Sequence, residues 1–439
     1  MRRFLCLFYV LVLAVLILSG CMLTVDEMYR IPKRSDAYNN LQSAIDGAMQ
    51  GLSYCAPLTG ENQQTVQMVD LDGDGAQEYI LFAKSTEDRP LRMLVFAQQG
   101  DVFENVNTVE CSGSAFDQVE YVDMNGDGGM ELVVGRQVSE QVIRSVSVYT
   151  FQDKELVQLG SVNYTKFLTA DLDGDNLSEL FVLRPGQLDA DNGIAELYTM
   201  KVGKLERYNE VGMSQPADKL KRIIVGKLDG GESGIYVASA VDDKALITDV
   251  YAIVDGMLKN VTFSNVSGTD VKTMRNYYVY ADDIDNDSVV ELPDLITMKP
   301  LEQMPSSENH QLIRWYAMST DGSEVDKMYT YHNFVGGWYV KLQSDWAPRV
   351  VVMSIGQQYD FYLWDSSYKT TQKLLSIYAF TGQNREEQGM TEERFVLYKT
   401  DSTVYAALLD DAAAEYGITP ESVTYSFQLI RHDWKTGET

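Results

Sequence analysis

Histidine is scarce in this chain: three among 439 residues, at His310, His332 and His432, all in the last third. They share no zinc-site spacing such as His-Glu-x-x-His, and the chain has no Walker loop and no dinucleotide fingerprint. A Gly-x-Ser-x-Gly elbow is absent as well. Cysteine is nearly as rare, with Cys6, Cys21, Cys55 and Cys111. So few thiols make no disulfide framework. Cys55 and Cys111 have no histidine nearby in sequence to activate them as nucleophiles, so they read as small buried hydrophobes, with a bridge between them as the alternative in an oxidising compartment. Positive charge is short too: 36 Lys and Arg stand against 64 Asp and Glu, a net charge of −28. That excludes nucleic acid as a partner and electrostatic docking on anionic lipid. Hydrophobic residues at 45% and aromatics at 11% are ample for packed cores. The length suits one large repeat domain and one smaller one.

A long apolar run occurs only once. Arg2 and Arg3 precede Leu5 to Leu18, 14 almost unbroken apolar residues, too few to span a membrane with confidence. The run ends at Leu18-Ser19-Gly20-Cys21, which resembles the lipobox of bacterial lipoprotein signal peptides. The resemblance implies cleavage after residue 20, a lipid on the Cys21 thiol, and an extracytoplasmic chain tethered to the bacterial cell membrane. Residues 21–59 then read as a tether and a short helix, with Ala37, Leu41, Ala44, Ile45 and Ala48 on one face.

What the chain has in abundance is one acidic pattern. Asp70, Asp72, Asp74 and Glu78 recur as Asp123, Asn125, Asp127 and Glu131, as Asp171, Asp173, Asp175 and Glu179, and as Asp283, Asp285, Asp287 and Glu291. Oxygen side chains fall at offsets 0, 2, 4 and 8 each time. Alternating carboxylates in a tight turn point at one centre and repel unless a cation sits there, and an all-oxygen set suits a hard one. Runs rich in β-branched and aromatic residues flank each loop, such as Val66–Val69 before and Tyr79–Phe82 after, so the unit is strand–loop–strand. An EF-hand needs flanking helices and a glutamate at loop position 12; here it stands at position 9. A second landmark, the strand ends Phe96, Tyr149, Tyr198 and Tyr251, recurs downstream of each loop. Counting back from Tyr251 places a degenerate copy at Lys227-Leu228-Asp229-Gly230-Gly231, where the Lys227 ammonium is expected to supply the missing positive charge. Loop starts at 70, 123, 171, 227 and 283 give units of about 50 residues, enough for four strands each.

These loops resemble the Asp-x-Asp-Gly-Asp-Gly stretch of the FG-GAP/VCBS family of β-propeller repeats, most closely over Asp70 to Gly75. The resemblance covers roughly residues 60–330 and departs at Lys227, at Asn125, and in lacking a Phe-Gly…Gly-Ala-Pro stretch. It implies Ca2+ in each intact loop, about four structural sites, and a mainly β fold of four-stranded propeller blades. Residues 331–439 read as a C-terminal α+β domain, with divergent further blades as the alternative; a helix is expected over 406–416 and a closing strand over 423–430. Functionally the chain reads as a binding module for a protein or glycan ligand. The rivals are an enzyme acting on polysaccharide or cell wall through acids outside the loops, and an assembly subunit of an envelope complex. Five tryptophans in the C-terminal third either fill cores or stack on a ligand.

Overall fold

The computed structural model describes residues 36–138, 144–186, 192–263, 272–276, 278–301, 311–345 and 347–431. The leader over residues 1–20, Cys21, the tether, His310, His432, Trp346 and Trp434 lie outside the described residues.

Helix α1 (Asp36–Ala48) comes first. The first sheet holds β1 (Ser53–Tyr54), β2 (Val66–Val69), β3 (Glu78–Lys84), β4 (Leu91–Gln99) and β5 (Val102–Cys111). The second is β6 (Ala115–Val122), β7 (Glu131–Gln137), β8 (Arg144–Gln152) and β9 (Glu155–Tyr164). The third is β10 (Lys166–Ala170), β11 (Glu179–Arg184), β12 (Ile194–Lys201) and β13 (Lys204–Gly212). The fourth is β14 (Leu220–Lys227), β15 (Ser233–Ala240), β16 (Leu246–Val254) and β17 (Met257–Asn260). β18 (Glu291–Ile296), β19 (Gln311–Met318), β20 (Glu324–Asn333) and β21 (Trp338–Leu342) form the fifth. The sixth has β22 (Val350–Ile355), β23 (Gln358–Trp364), β24 (Thr371–Thr381), β25 (Phe395–Lys399) and β26 (Thr403–Leu409). The described sheets are antiparallel and mostly meander in chain order; the exceptions are that β1 and β2 both pair with β3, that a late strand adds to β21, and that β26 sits between β24 and β25. The fold is thus mainly β; the second, third and fourth sheets have the four strands expected, and the first, fifth and sixth have five.

Burial explains why the central strands lack an alternating pattern. Ile80, Leu81, Phe82 and Ala83 are all fully buried. Successive side chains of a strand point to opposite faces, so a run buried throughout must be covered on both. Ile80 and Phe82 pack on the second sheet with Phe116, Leu132 and Val134. Leu81 and Ala83 pack under α1, against Leu41 and Ile45. The scheme then repeats. Val133 and Val148 meet Phe167, Leu180 and Val182 of the third sheet. Phe181 and Leu183 meet Ile235, Val237 and Tyr251 of the fourth. Tyr236 and Val250 meet Leu292 and Tyr316 of the fifth. Tyr331 and Trp338 meet Val352, Phe361 and Ile377 of the sixth. Edge-on ring pairs mark some of these seams, as in Phe82–Phe116 at 4.9 Å and Tyr331–Phe361 at 5.1 Å. The outer strands β5, β9 and β13 have one wet face and accordingly alternate.

The C-terminal third departs from expectation in detail. The boundary expected at residue 331 falls inside β20, and the fifth and sixth sheets share one core. Helix α2 (Arg385–Gly389) and helix α3 (Pro420–Ser426) supply the helical part of the mixture. Ala406 begins no helix: Ala406 and Ala407 lie in β26, fully buried. Small alanines fit there because β26 is flanked on both sides by β24 and β25. Only a 3-10 turn over Asp411–Tyr416 follows, ended by Gly417 at φ 67°. Within 423–430 the strand is confined to β27 (Phe427–Leu429), which adds to β21. The preceding residues are α3, started by Pro420 and by Thr419, whose side chain accepts from the Ser422 amide. Trp315, Trp338 and Trp364 are buried and fill cores.

Candidate metal centres

The first three acidic loops join consecutive paired strands: β2 to β3, β6 to β7 and β10 to β11. The fourth precedes β18; Tyr278, Val279 and Tyr280, expected in a strand before it, form none, and Asp282 beyond them makes one bridge to Glu291. Two positions per loop adopt left-handed backbone: Gly73 and Gly75, Gly126 and Gly128, Gly174 and Asn176, Asn286 and Ser288. Glycine and asparagine tolerate that geometry best, which accounts for their recurrence.

Carboxylates fold each loop from within. The residue at offset 0 accepts backbone amides: Gly75 N to Asp70 at 3.0 Å, Gly126 N to Asp123 at 2.7 Å, Asn176 N to Asp171 at 3.0 Å and Ser288 N to Asp283 at 2.9 Å. The residue at offset 4 caps the far side: Ala76 N to Asp74 at 2.7 Å, Gly129 N to Asp127 at 2.9 Å, Leu177 N to Asp175 at 2.8 Å and Val289 N to Asp287 at 2.8 Å. The glutamate at offset 8 opens the second strand and turns inward. Its Oε2 accepts the amide at offset 1: Leu71 N to Glu78, Met124 N to Glu131 and Leu172 N to Glu179, each at 2.9 Å, and Ile284 N to Glu291 at 3.1 Å. All four glutamates are buried, as are the apolar side chains of Leu71, Met124, Leu172 and Ile284 beneath them.

Three of the loops gather carboxylate oxygens within 4.8 Å of one another: Asp70, Asp72 and Glu78; Asp171, Asp173 and Glu179; Asp283, Asp285 and Glu291. Asp74, Asp175 and Asp287 are not part of these groups. The loop at Asp123 differs, because Asn125 Nδ2 donates to Glu131 Oε1 at 2.7 Å, an amide taking the place of a second anion. Burial raises Glu78 and Glu131 above the usual carboxylate range; it pushes Glu179 up to about 7 and Glu291 up to about 8, neighbouring aspartates adding to it. Asp173 and Asp285 are raised for the same reasons. Three oxygens in these clusters, Asp70 Oδ1, Asp285 Oδ1 and Glu291 Oε1, are buried without a hydrogen-bond partner. A buried acceptor in that state is costly unless a cation meets it. The donor sets therefore fit a hard metal ion, and these clusters can hold one.

No protein-family model and no curated protein matches the sequence. Among solved structures the chain is similar to an exotype rhamnogalacturonan lyase, YesX, at 15% identity and a TM-score of 0.29, over 74% of this chain and 65% of that one. It is also similar to a Bacillus licheniformis rhamnogalacturonan lyase at 14% identity and a TM-score of 0.28, over 73% and 72%. A protein from Lactobacillus plantarum matches at 9% identity and a TM-score of 0.27, over 73% and 86%. The chain spans just under two thirds of the first of these, and likeness at such TM-scores carries no weight for fold or chemistry.

Neighbouring loops are tied by their backbones. Met130 N donates to Leu71 O at 3.0 Å, Ser178 N to Asp123 O at 2.8 Å and Val290 N to Lys227 O at 3.0 Å. Each donor is at offset 7 of its own loop, and each acceptor is at offset 0 or 1 of the loop before it. A Cβ built on Gly73 would lie 2.5 Å from Gly128 O, whereas one on Gly75 would meet nothing within 4 Å. Both glycines have positive φ, 72° and 88°. Gly73→Ala is therefore expected to cost about 1–3 kcal/mol more than Gly75→Ala in thermal or urea denaturation. Equal losses would show that the two loops do not press on each other.

The degenerate copy keeps the buried plug, Leu228, but replaces the glutamate hydrogen bond by Leu228 N to Glu232 O at 2.8 Å. Lys227 does not supply its positive charge: Lys227 Nζ donates to Ser233 Oγ at 2.9 Å. The ammonium on Asp229 belongs to Lys327 of β20, at 2.9 Å. No repeat phase marks Lys327, so only the packing of the fifth sheet on the fourth reveals it. Cys55 and Cys111 are both free thiols. His332 is fully buried, stacks on Tyr339 at 4.9 Å, and is pushed down to about 3 by burial, so it stays neutral near pH 7.

Proposed function

We propose that this chain is a calcium-stabilised, FG-GAP/VCBS-type β-propeller lipoprotein, anchored outside the cytoplasm through Cys21, that works as a binding module. The observation that carries the calcium reading is the same inward glutamate in four loops, holding one backbone amide with Oε2 and, in Glu291, leaving Oε1 buried without a partner. The donors are all oxygen, which suits calcium, and sites of this kind outside cells bind it at about 10⁻⁴–10⁻³ M. When bound, calcium would supply charge neutralisation that fixes each hairpin; Asp70, Asp72 and Glu78 and their counterparts would hold it. These carboxylates serve a staple and must stay ionised, a poor condition for acid–base work. Binding of a ligand is then left to the loop surfaces that the staples hold in shape.

The test is a screen of the chain against glycans, peptidoglycan and envelope proteins, with calcium and with chelator. Saturable binding that disappears on chelation is expected. Release of reducing sugar from any glycan in the panel would instead favour the enzyme.

A further inference from the structure

Lys327 stands between two loops of opposite character. On one side is the ion-less loop of the fourth sheet, where its Nζ lies 2.9 Å from Asp229 Oδ1. On the other is the intact loop that precedes the fifth sheet, where the same Nζ lies 3.9 Å from Asp287 Oδ2. Its side chain is 22% exposed, against 26% for Asp229 and 43% for Asp287, so the ammonium is partly shielded from bulk water. The two loops also exchange backbone hydrogen bonds, Lys227 N to Ser288 O at 3.2 Å and Val290 N to Lys227 O at 3.0 Å. A charge held by one is therefore held against the other. Beside Asp287 lie Asp285 Oδ1 and Glu291 Oε1, the buried oxygens without partners. The repeat offers a comparison: among the described residues, Lys327 pairs with acids of the Asp229 and Asp283 loops, and no ammonium pairs with the loop acids of the clusters at Asp70 and Asp171.

We propose that Lys327 is a tethered cation that neutralises the ion-less loop and, through Asp287, holds down the calcium affinity of the Asp283 loop beside it. The inference rests on reading the acidic loops as calcium sites. Its physics is that of a fixed charge near a binding ion. A divalent ion entering the Asp283 cluster meets a positive neighbour and gains less than in the clusters at Asp70 and Asp171. Asp229 restrains that neighbour, because an ammonium hydrogen-bonded to Asp229 is kept away from Asp287. Two substitutions should then act with opposite signs. Lys327→Met removes the repulsion and exposes Asp229, so it should tighten one calcium site. Asp229→Asn releases Lys327 towards Asp287, so it should weaken the same site. A residue important only for packing would move both variants in one direction, towards weaker binding.

The experiment is calcium titration of the full chain in detergent by calorimetry, for the parent and both variants, at low and high salt. The expected result is a single site about tenfold tighter in Lys327→Met and about tenfold weaker in Asp229→Asn, the other sites unchanged. Both shifts should shrink at high salt, as screening requires. Adding Glu291→Gln, which removes the Asp283 site, should erase both effects and so assign them. Unchanged constants in both variants, or weakening in both, overturn the role of Lys327 while leaving the calcium sites standing. No calcium binding by the parent chain overturns both readings.

Discussion

Removing calcium with a chelator is expected to lower the melting temperature of this protein by about 2–6 °C. A ligand that binds only the folded chain adds RT ln(1 + [L]/Kd) per site, about 0.4–1.4 kcal/mol at about 1 mM calcium for Kd values of about 10⁻⁴–10⁻³ M. Four loops of this kind contribute several kcal/mol together, and a chain of several sheets loses a few degrees or less per kcal/mol. The loss should be cooperative rather than local, because each loop opens a strand that serves the core between two sheets. Phe181 and Leu183 of β11, two and four residues beyond Glu179, lie in the core with the fourth sheet, while Leu180 and Val182 lie in the core with the second. Differential scanning calorimetry with and without chelator measures the shift. The double variant Asp171→Ala with Asp173→Ala should show a smaller one, with one site lost. A melting curve indifferent to calcium would remove the staple from the description of this fold.

Glu291→Gln is expected to stabilise the calcium-free protein while abolishing the contribution of its own loop in calcium. In the parent chain Glu291 is buried, and burial pushes it up to about 8. Its ordinary value is 4.5, so the folded protein binds the proton more tightly than the unfolded one. Stability from this group is therefore complete below about pH 4.5 and lost as pH rises through about 8; Glu179, pushed up to about 7, acts in the same sense. Glutamine keeps an oxygen for the Ile284 amide and gives an N–H group to the carboxylate beside it. The Asp123 loop already has this arrangement, where the Asn125 amide donates to Glu131. The gain without calcium near pH 8 should be about 1–3 kcal/mol, the usual cost of a buried acceptor left unmade. Denaturation in chelator between pH 5 and pH 8.5 should show a falling profile for the parent and a flatter one for the variant. In calcium the parent profile should turn the other way, because protons compete with the ion for the same oxygens. A variant less stable than the parent in chelator at every pH would mean that the carboxylate serves packing alone.

The blade unit was legible in the sequence because two signals repeat in phase. The acidic loop marks the first turn of each sheet, and the strand ends at Phe96, Tyr149, Tyr198 and Tyr251 mark its third strand. Their common spacing located the degenerate copy at Lys227, where three of four oxygen positions are lost. The helix before the first sheet was legible through Leu41 and Ile45, which do pack on it. Beyond Trp338 both signals stop. β22 and β23 are joined by a tight turn at Gly356 with no acidic loop to announce a sheet. The alanines of β26 have helical propensity that burial between two strands overrides. Within the site, spacing found the loops but not the division of labour inside them. Offset 4 looks equivalent to offsets 0 and 2, yet Asp74, Asp175 and Asp287 cap backbone amides while Glu78, Glu179 and Glu291 complete the clusters. Lys327 was out of reach, since its partners lie 98 and 40 positions earlier in the chain.

The calcium count per chain, measured by equilibrium dialysis on the parent and on Glu78→Gln, Glu131→Gln, Glu179→Gln and Glu291→Gln, tests the staples most directly. The expected result is four ions for the parent, with the Asp123 loop weakest, and one fewer for each substitution. A count that stays the same whichever glutamate is replaced, or no bound calcium at all, would contradict it.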